Sequence, residues 1–179
     1  MFKTTTVFGL IIKRQNMGET DRLVTILTQE LGRITCLAKG ARQLKSSKRA
    51  SLEPGNLARV FLIKRKAGAP LLTEAKLEDG IGQLANTLAQ YRKLSEFLEI
   101  IDNLFVEQEI EPEIFDKLLK TRSIIVNNQP KAAKIKQNFR EIIIALGFED
   151  PQQTKYTSIA EYVSALAEKK LKSFGYLKV

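Results

Sequence analysis

The spacing of apolar residues changes at Asp79-Gly80, and this change constrains the fold of the 179-residue chain more than any other feature. Before it, short segments rich in β-branched and aromatic residues alternate between apolar and polar positions, which is typical of strands. After it, apolar residues recur at steps of three and four, which is typical of amphipathic helices. The chain is therefore predicted to be an α+β protein, with a β domain at residues 1–79 and a helical domain at residues 80–179.

Five short strands are predicted in the first domain, separated by turn signals. They are expected at Thr5–Arg14, Asp21–Thr28, Arg33–Lys39, Leu57–Lys66 and Pro70–Leu77. The longest connection follows the third strand. This layout matches a five-stranded oligonucleotide-binding (OB) barrel, and an SH3-like barrel is the nearest alternative.

The third strand shows the alternation that a barrel requires. Ile34, Cys36 and Ala38 share one face and are expected inside, whereas the intervening residues face mostly solvent. Gly32 lies in the tight hairpin before this strand, where the backbone φ can be positive.

The fourth strand interleaves basic and aromatic side chains on one face, namely Arg59, Phe61, Ile63 and Arg65. Such a face could stack bases and pair phosphates. Small barrels, however, need large side chains inside. Phe61 is therefore predicted to belong to the core rather than to a stacking platform.

Two helices are predicted at the start of the second domain. The first is a long amphipathic helix from Ile81 to Phe105, with Asp79 or Gly80 near its cap. Pro112 opens the second helix, because proline suits the first helical turn.

Two further helices complete the second domain. The third is predicted to begin at Pro130 and to end at Gly147, a usual C-terminal capping residue. The fourth begins at Ser158, where Glu161 provides the spacing of a capping box. It is predicted to continue to about Phe174.

Positive charge is concentrated in the first half of the chain. Residues 1–80 contain 15 Lys/Arg and 7 Asp/Glu, a net of +8, whereas residues 81–179 contain 14 and 13, a net of +1. Such clustering of one sign favours a polyanionic partner. The residues predicted to contact nucleic acid are Arg14, Arg33, Lys39, Arg42, Lys45, Lys48, Arg49, Arg59, Lys64 and Arg65.

Two connections are expected to form part of this contact. The connection between the third and fourth strands, Gly40–Pro54, is rich in Lys and Arg, and is predicted to be a mobile loop or a frayed helical turn that orders on binding. The segment Gly18–Arg22 lies at the barrel mouth, where OB folds commonly bind their ligands.

The residue types that catalysis and metal binding need are scarce. The chain has no histidine, and Cys36 is its single cysteine, which is expected to be a buried small hydrophobe rather than a nucleophile. No glycine-rich phosphate loop is present. We therefore expect no enzymatic activity, no cofactor and no structural zinc, which needs several Cys or His ligands.

The cysteine usage and the lack of an apolar segment of about 18 residues predict a cytoplasmic protein.

Several segments, taken as an ordered set, resemble the RecO family of bacterial recombination mediators. They are Gly18–Arg33, Ala38–Arg42, Ser47, Arg49 and Leu52–Gly55, within about residues 7–77. The resemblance implies an N-terminal OB domain and a C-terminal helical domain. It also implies binding to single- and double-stranded DNA, annealing of complementary strands, and work with RecR to load RecA onto DNA coated by single-stranded-DNA-binding protein.

The helical half departs from the family pattern after Leu146-Gly147-Phe148. Many relatives insert a cysteine-rich zinc module there, whereas this chain has Glu149–Gln153 without a cysteine. The resemblance therefore implies a short form that lacks zinc. It also implies a nucleoid-associated protein whose helical domain binds the acidic, aromatic-tipped tail of the single-stranded-DNA-binding protein.

Three alternatives share the same electrostatics. The chain could be an RNA-binding or ribosome-associated OB protein, because RNA presents the same phosphates. It could also be an interaction module whose basic face binds an acidic protein. A membrane-surface role is the weakest alternative, because the basic connection lacks large apolar anchors.

Overall fold

A computed structural model describes residues 4–82, 87–127, 131–168 and 171–172. The chain forms two compact units. The first contains the residues up to Ile81 together with Phe105–Ile110, and the second contains Gly82–Leu104 and the residues from Glu111 onward.

The first unit is a closed five-stranded barrel. Its strands are β1 (Thr4–Met17), β2 (Asp21–Thr28), β3 (Gly32–Ala38), β4 (Leu57–Ile63) and β5 (Leu71–Asp79). They follow the order β1-β2-β3-β5-β4 around the barrel, and β4 closes onto β1. All neighbours pair antiparallel except β3 and β5, which pair parallel at Leu37 and Leu71. The predicted OB barrel followed by helices is thereby confirmed.

The barrel core is built from alternate strand residues, as period-two patterning predicts. Val24 and Ile26 of β2 lie opposite Cys36 and Ile34 of β3, which are at most 4% exposed. Leu37 on the opposite face is also buried, in contrast to the predicted solvent exposure. The core cluster contains Val7, Ile11, Val24, Ile26, Ile34, Cys36, Ala38, Ala41, Leu52, Ala58, Val60, Leu62 and Leu72.

The prediction that Phe61 belongs to the barrel core is wrong. Val60 and Leu62 point into the core, so Phe61 lies on the outward face of β4 and is only half-buried. The small barrel is instead filled by aliphatic residues from all five strands and from the β3–β4 connection.

The β3–β4 connection is anchored at both ends, and it contains the short helix α1 (Lys48–Ser51). Ala41 and Leu52 are fully buried in the barrel core. Near its end, Gly55 N donates to Ile11 O at 2.8 Å, and Ile11 N donates to Asn56 O at 2.9 Å. The predicted helical turn is therefore present, and both ends of the connection are packed against the barrel.

The segment Phe105–Ile110 packs on the turn between β2 and β3. Arg33 N donates to Val106 O at 2.8 Å, and Ile110 N donates to Gln29 O at 2.8 Å. Gly32, with φ of 65°, lies under this segment so closely that a Cβ atom there would be 2.1 Å from Gln108 O. The predicted glycine conformation is confirmed, and close packing adds a second requirement for glycine.

The second unit begins with helix α2 (Leu88–Leu104), which is shorter than the predicted helix from Ile81 to Phe105. At the start, Ile81 N donates to Asn56 Oδ1 at 2.9 Å, which holds Ile81 in the barrel unit. The side chain of Thr87 accepts a hydrogen bond from Gln90 N and caps the first turn. Leu84, which the prediction placed in this helix, lies outside the described residues.

Three more helices follow: α3 (Pro112–Val126), α4 (Ala132–Ala145) and α5 (Ile159–Leu166). Pro112 occupies the first turn of α3, as predicted. Gly147, with φ of 86°, follows the end of α4. Pro130 and Phe174, the predicted start of the third helix and end of the fourth, lie outside the described residues. The structure ends α5 at Leu166, which makes it shorter than predicted.

Aromatic packing and caps hold the second unit together. The rings of Phe97 in α2 and Phe139 in α4 lie 5.8 Å apart between centroids. Ser158 Oγ accepts from Glu161 N at 3.1 Å, which confirms the predicted helix start. Among the described residues, no helix is long and apolar enough to cross a membrane.

Candidate nucleic-acid interface

The ten predicted contact residues fall in three places on the barrel unit. Arg33, Lys64 and Arg65 line a groove beside β3. Arg59 lies on the outward face of β4, with Glu78 as its ion-pair partner at 3.1 Å. The remaining residues lie on β1 and on the β3–β4 connection: Arg14, Lys39, Arg42, Lys45, Lys48 and Arg49.

The first place, which we call the β3 groove, is open and has a volume of about 450 Å³. Arg33 and Thr35 on the outward face of β3 form one side, and the β4–β5 loop contributes Lys64 and Arg65. The β2–β3 face and the β4–β5 loop are the surfaces with which OB folds commonly bind oligonucleotides. The remaining lining residues are Gly68, Ala69, Pro70, Val106 and Glu107.

The β3 groove is open and is lined mainly by positive charge. Three of its side chains are cationic, and Glu107 is its single acidic lining residue. Leu37 N donates to Pro70 O at 2.8 Å, so the loop that bears Lys64 and Arg65 is fastened to β3. Guanidinium and ammonium groups held side by side can contact successive phosphates without reading the bases.

The β1–β2 loop and the β3–β4 connection are joined by hydrogen bonds. Arg42 donates from its backbone N to Thr20 O and from its side chain to Gly18 O, each at 2.9 Å. The Asp21 carboxylate accepts from Gly40 N at 2.8 Å, and this bond lowers the pKa of Asp21. Together these bonds place the cations of the connection beside the barrel mouth.

The remaining cations of the connection differ in their surroundings. Lys48 Nζ donates to Lys39 O at 2.8 Å and is half-buried. Lys39, Lys45 and Arg49 are exposed, so their charges face solvent. The connection therefore presents several cations to an approaching polyanion.

Arg22 and Glu53 were not among the ten residues predicted individually, although each lies in a segment that was expected to form part of the contact. Glu53 Oε1 makes an ion pair with Arg14 Nη1 and lies 3.7 Å from Arg22 Nη1. Burial, and then the positive charge of Arg14, lowers the pKa of Arg22, while Glu53 opposes this shift. One signal in the sequence could have found Arg22, because it shares the inward period-two face of Val24 and Ile26.

The outward face of β4 does not combine basic and aromatic side chains as the sequence pattern suggested. Arg59 and Phe61 lie on that face, but Arg65 lies beyond the end of the strand, in the β4–β5 loop. Arg59 is also engaged by Glu78. These side chains therefore do not form one continuous stacking surface.

The single cysteine lies in the barrel core. Cys36 is fully buried, and burial raises the pKa of its thiol to about 12. A thiol in this environment stays protonated and is a poor nucleophile at neutral pH. The described residues contain no group of three or more His, Cys, Asp or Glu that could hold a metal ion.

The helical unit has a groove of its own, of about 110 Å³, between α4, the turn at Pro151–Gln153 and the start of α5. Lys136 and Arg140 supply cations, and Tyr156 supplies an aromatic ring. Arg140 is held by Asp150 through two hydrogen bonds of 2.8 and 2.6 Å. Asp150 therefore offsets the charge of Arg140, and Lys136 supplies the positive charge beside the Tyr156 ring.

Comparison with known proteins places the barrel in a family. Residues 1–81 match the family model described as "Recombination protein O N terminal". Similar curated proteins are each named DNA repair protein RecO. That of Oceanobacillus iheyensis is 30% identical over 121 residues, which cover 68% of this chain and 46% of that protein. That of Streptomyces avermitilis is 32% identical over 117 residues, which cover 62% and 47%.

A third relative extends the same pattern. The DNA repair protein RecO of Rhodopirellula baltica is 31% identical over 118 residues, which cover 65% of this chain and 44% of that protein. The chain thus spans about half the length of the curated relatives that it matches. With its N-terminal family match, its OB barrel and its relatives of one name, the chain belongs to the RecO family.

Proposed function

We propose that this protein is a DNA repair and recombination mediator that binds single- and double-stranded DNA through its barrel. The observation that carries the proposal is the β3 groove, where Arg33, Lys64 and Arg65 line the surface with which OB folds commonly hold oligonucleotides. Contacts of this kind are made to phosphates, so binding has little sequence preference and depends strongly on salt.

The remaining predicted cations extend the proposed DNA surface onto the barrel mouth. The connection supplies Lys39, Arg42, Lys45, Lys48 and Arg49, and β1 supplies Arg14. Arg59 is the weakest member of this set because Glu78 already neutralises it. In this proposal the barrel domain, residues 1–79, holds DNA, and the helical domain, residues 80–179, binds protein partners.

The proposed activities follow from family membership. The protein anneals complementary strands and acts with RecR to load RecA onto DNA coated by single-stranded-DNA-binding protein. Such a mediator works in the cytoplasm, at the nucleoid, by binding rather than by catalysis. The helical groove with Lys136, Arg140 and Tyr156 supports one partner contact, because an acidic tail with an aromatic tip matches its charge and its apolar surface.

A pair of charge-matched variants tests the β3 groove. Lys64→Ala/Arg65→Ala removes two groove cations, whereas Lys76→Ala/Lys93→Ala removes two exposed cations elsewhere. We expect the groove variant to bind a fluorescent oligothymidylate more weakly and to reduce the slope of log K against log salt by about 1.4, or ~0.7 for each phosphate contact. Fluorescence anisotropy measured across a range of salt concentrations gives both quantities.

The control variant separates a site from net charge. Lys76→Ala/Lys93→Ala is expected to keep the slope of log K against log salt of the unmodified protein. Equal losses in both variants would show that the protein attracts DNA only through its overall charge, and the groove assignment would be wrong. A strand-annealing assay, with and without the single-stranded-DNA-binding protein, then tests the mediator activity itself.

A further inference from the structure

Arg22 is a buried cation, and two of its side-chain nitrogen atoms have no hydrogen-bond partner among the described residues. Only 7% of the residue is exposed, and the two atoms are Nε and Nη1. It lies at the mouth end of β2, on the inward face, opposite Asn16 of β1 and Ala38 of β3. Buried polar groups normally have partners, so a guanidinium left without them indicates a missing ligand.

The surroundings of Arg22 favour an anion. Arg14 projects from the same inward face of β1, because it pairs with the core residue Val24. Arg49 and Arg42 also lie close enough to act on the charge of Arg22. The acid that faces this group is Glu53, and its Oε1 atom already pairs with Arg14. The carboxylate of Glu53 therefore lies between two inward-facing guanidinium groups, those of Arg14 and Arg22.

Glu53 does not satisfy Arg22. The distance from Glu53 Oε1 to Arg22 Nη1 is 3.7 Å, which is longer than a hydrogen bond. The nearby Asp21 is also engaged, since its carboxylate accepts from Gly40 N and from Thr20 Oγ1. A phosphate has more acceptor oxygens than a carboxylate, so one phosphate can serve Arg14 and Arg22 together.

We propose that Arg22 and Arg14 form a subsite for one backbone phosphate of a nucleic-acid strand, and that Glu53 occupies this subsite until the strand arrives. This inference rests on the proposed DNA-binding function and assigns one contact within it. When the strand binds, the Glu53 carboxylate turns to solvent, and the two guanidinium groups donate to the phosphate oxygens. The strands β1 and β2 hold both arginines in place, so the subsite is formed in advance.

The test compares two acids that each pair with a basic side chain and are equally exposed. Glu53→Gln removes the carboxylate charge from the proposed subsite and keeps the shape of the side chain. Glu141→Gln makes the same change beside Lys117 in the helical unit, away from the residues proposed to contact DNA. In the full chain, Glu53→Gln is expected to bind an oligothymidylate about fivefold more tightly. Its slope of log K against log salt should steepen by up to about 0.7.

The proposal is overturned if Glu53→Gln and Glu141→Gln change affinity equally, because net charge alone would then explain the gain. An oligomer of abasic deoxyribose phosphate extends the test. The proposed subsite holds a phosphate, so the gain of Glu53→Gln must persist when the bases are removed. Loss of the gain would assign these arginines to base recognition instead.

A second variant, Arg22→Met, tests whether Arg22 contributes to DNA binding or only to the stability of the fold. Arg22→Met keeps most of the apolar stem and removes the guanidinium group. Because Nε and Nη1 have no partner, the melting temperature should stay the same or rise, while oligothymidylate affinity falls about tenfold. A lower melting temperature with unchanged affinity would make Arg22 a structural residue and contradict the proposal.

Failure of the proposed DNA-binding function and failure of the phosphate subsite give different experimental results. If the unmodified protein shows no salt-dependent binding to oligothymidylate, the proposed DNA-binding function itself is wrong. If the unmodified protein binds, and if Glu53→Gln and Arg22→Met both bind oligothymidylate with its affinity, only the phosphate subsite is wrong.

Discussion

Gly32 is the residue whose requirement for glycine can be separated into two physical causes. Its φ is 65°, a conformation that other residues adopt only with strain. Its missing Cβ also leaves room for Val106 O, which would be 2.4 Å from that atom, and for Gln108 O. Gly18 has a similar φ of 58°, but a Cβ there would meet nothing within 4 Å.

We predict that Gly32→Ala destabilises the barrel unit much more than Gly18→Ala does. Gly18→Ala is the control, and it should lose only the free energy of placing alanine in this backbone conformation, about 1–2 kcal/mol. Gly32→Ala must also displace the Phe105–Ile110 segment, so its total cost should reach about 4 kcal/mol. Urea denaturation of both variants measures the difference. Equal losses would mean that the segment yields easily to a methyl group.

At the scale of elements, short polar contacts decide where each element begins and ends. Ser158 starts α5, and the Glu161 carboxylate accepts from Thr157 N at 2.8 Å, which lowers the pKa of Glu161. Asp150 caps the turn at Pro151–Gln153, because its carboxylate accepts a hydrogen bond from Gln152 N at 3.1 Å. Arg140 contributes more to the lowered pKa of Asp150 than this cap does.

The pH dependence of the Asp150 contacts follows from the sign of its pKa shift. The folded state lowers the pKa of Asp150 below its usual value of 3.8, so the contacts stabilise the protein above that pH. The contribution is lost as pH falls through the lower, folded value. At about pH 7, Asp150→Asn should therefore have a melting temperature a few degrees below that of the unmodified protein. This difference in melting temperature should shrink at about pH 3.

Asp116→Asn is the control for this prediction, because Asp116 forms an exposed ion pair with Lys120 one turn along α3. Exposed pairs of this type contribute little, so this variant should melt close to the unmodified protein. Thermal unfolding followed by circular dichroism compares the three proteins. A gap for Asp150→Asn that does not depend on pH would leave the cap geometry, rather than the carboxylate charge, as the cause.

At the scale of the whole molecule, the barrel unit is not continuous in sequence. The family match ends at residue 81, yet Phe105–Ile110 returns to the barrel. Phe105 and Ile110 are each at most 5% exposed, and the segment also supplies two backbone hydrogen bonds. A barrel without this segment would expose apolar surface and would leave Arg33 N and Gln29 O without these partners.

We predict that a fragment ending at Ile81 is less stable than the same fragment with Phe105–Ile110 attached through a glycine–serine linker. The tethered segment should add about 2–3 kcal/mol, because it restores two buried side chains and two hydrogen bonds. Urea denaturation of the two fragments measures this gain. A tethered segment in which Phe105 and Ile110 are both replaced by serine controls for the linker, and a gain that survives this change would contradict the prediction.

The cations show how far sequence reasoning reached for the candidate site. Charge counting placed most of the positive charge in the barrel half. The strand pattern extended the fourth strand to Lys66, whereas β4 ends at Ile63 and Lys64 and Arg65 lie in the β4–β5 loop. Sequence reasoning included the segments that contain Arg22 and Glu53 but did not single out these two residues, because their roles depend on which groups surround them. Burial and partner distances arise only when β1, β2 and the β3–β4 connection come together.

By itself, the sequence determined the local structure of this protein. The alternation of β2 and β3, the cap at Ser158 and the positive φ of Gly32 each depend on neighbouring residues, because backbone geometry sets the periods of strands, helices and turns. Only the tertiary structure decided which distant segments meet. The parallel contact of β3 with β5, the return of Phe105–Ile110 and the shared carboxylate of Glu53 depend on barrel closure. Closure is a property of the whole set of strands, and no local pattern specifies it.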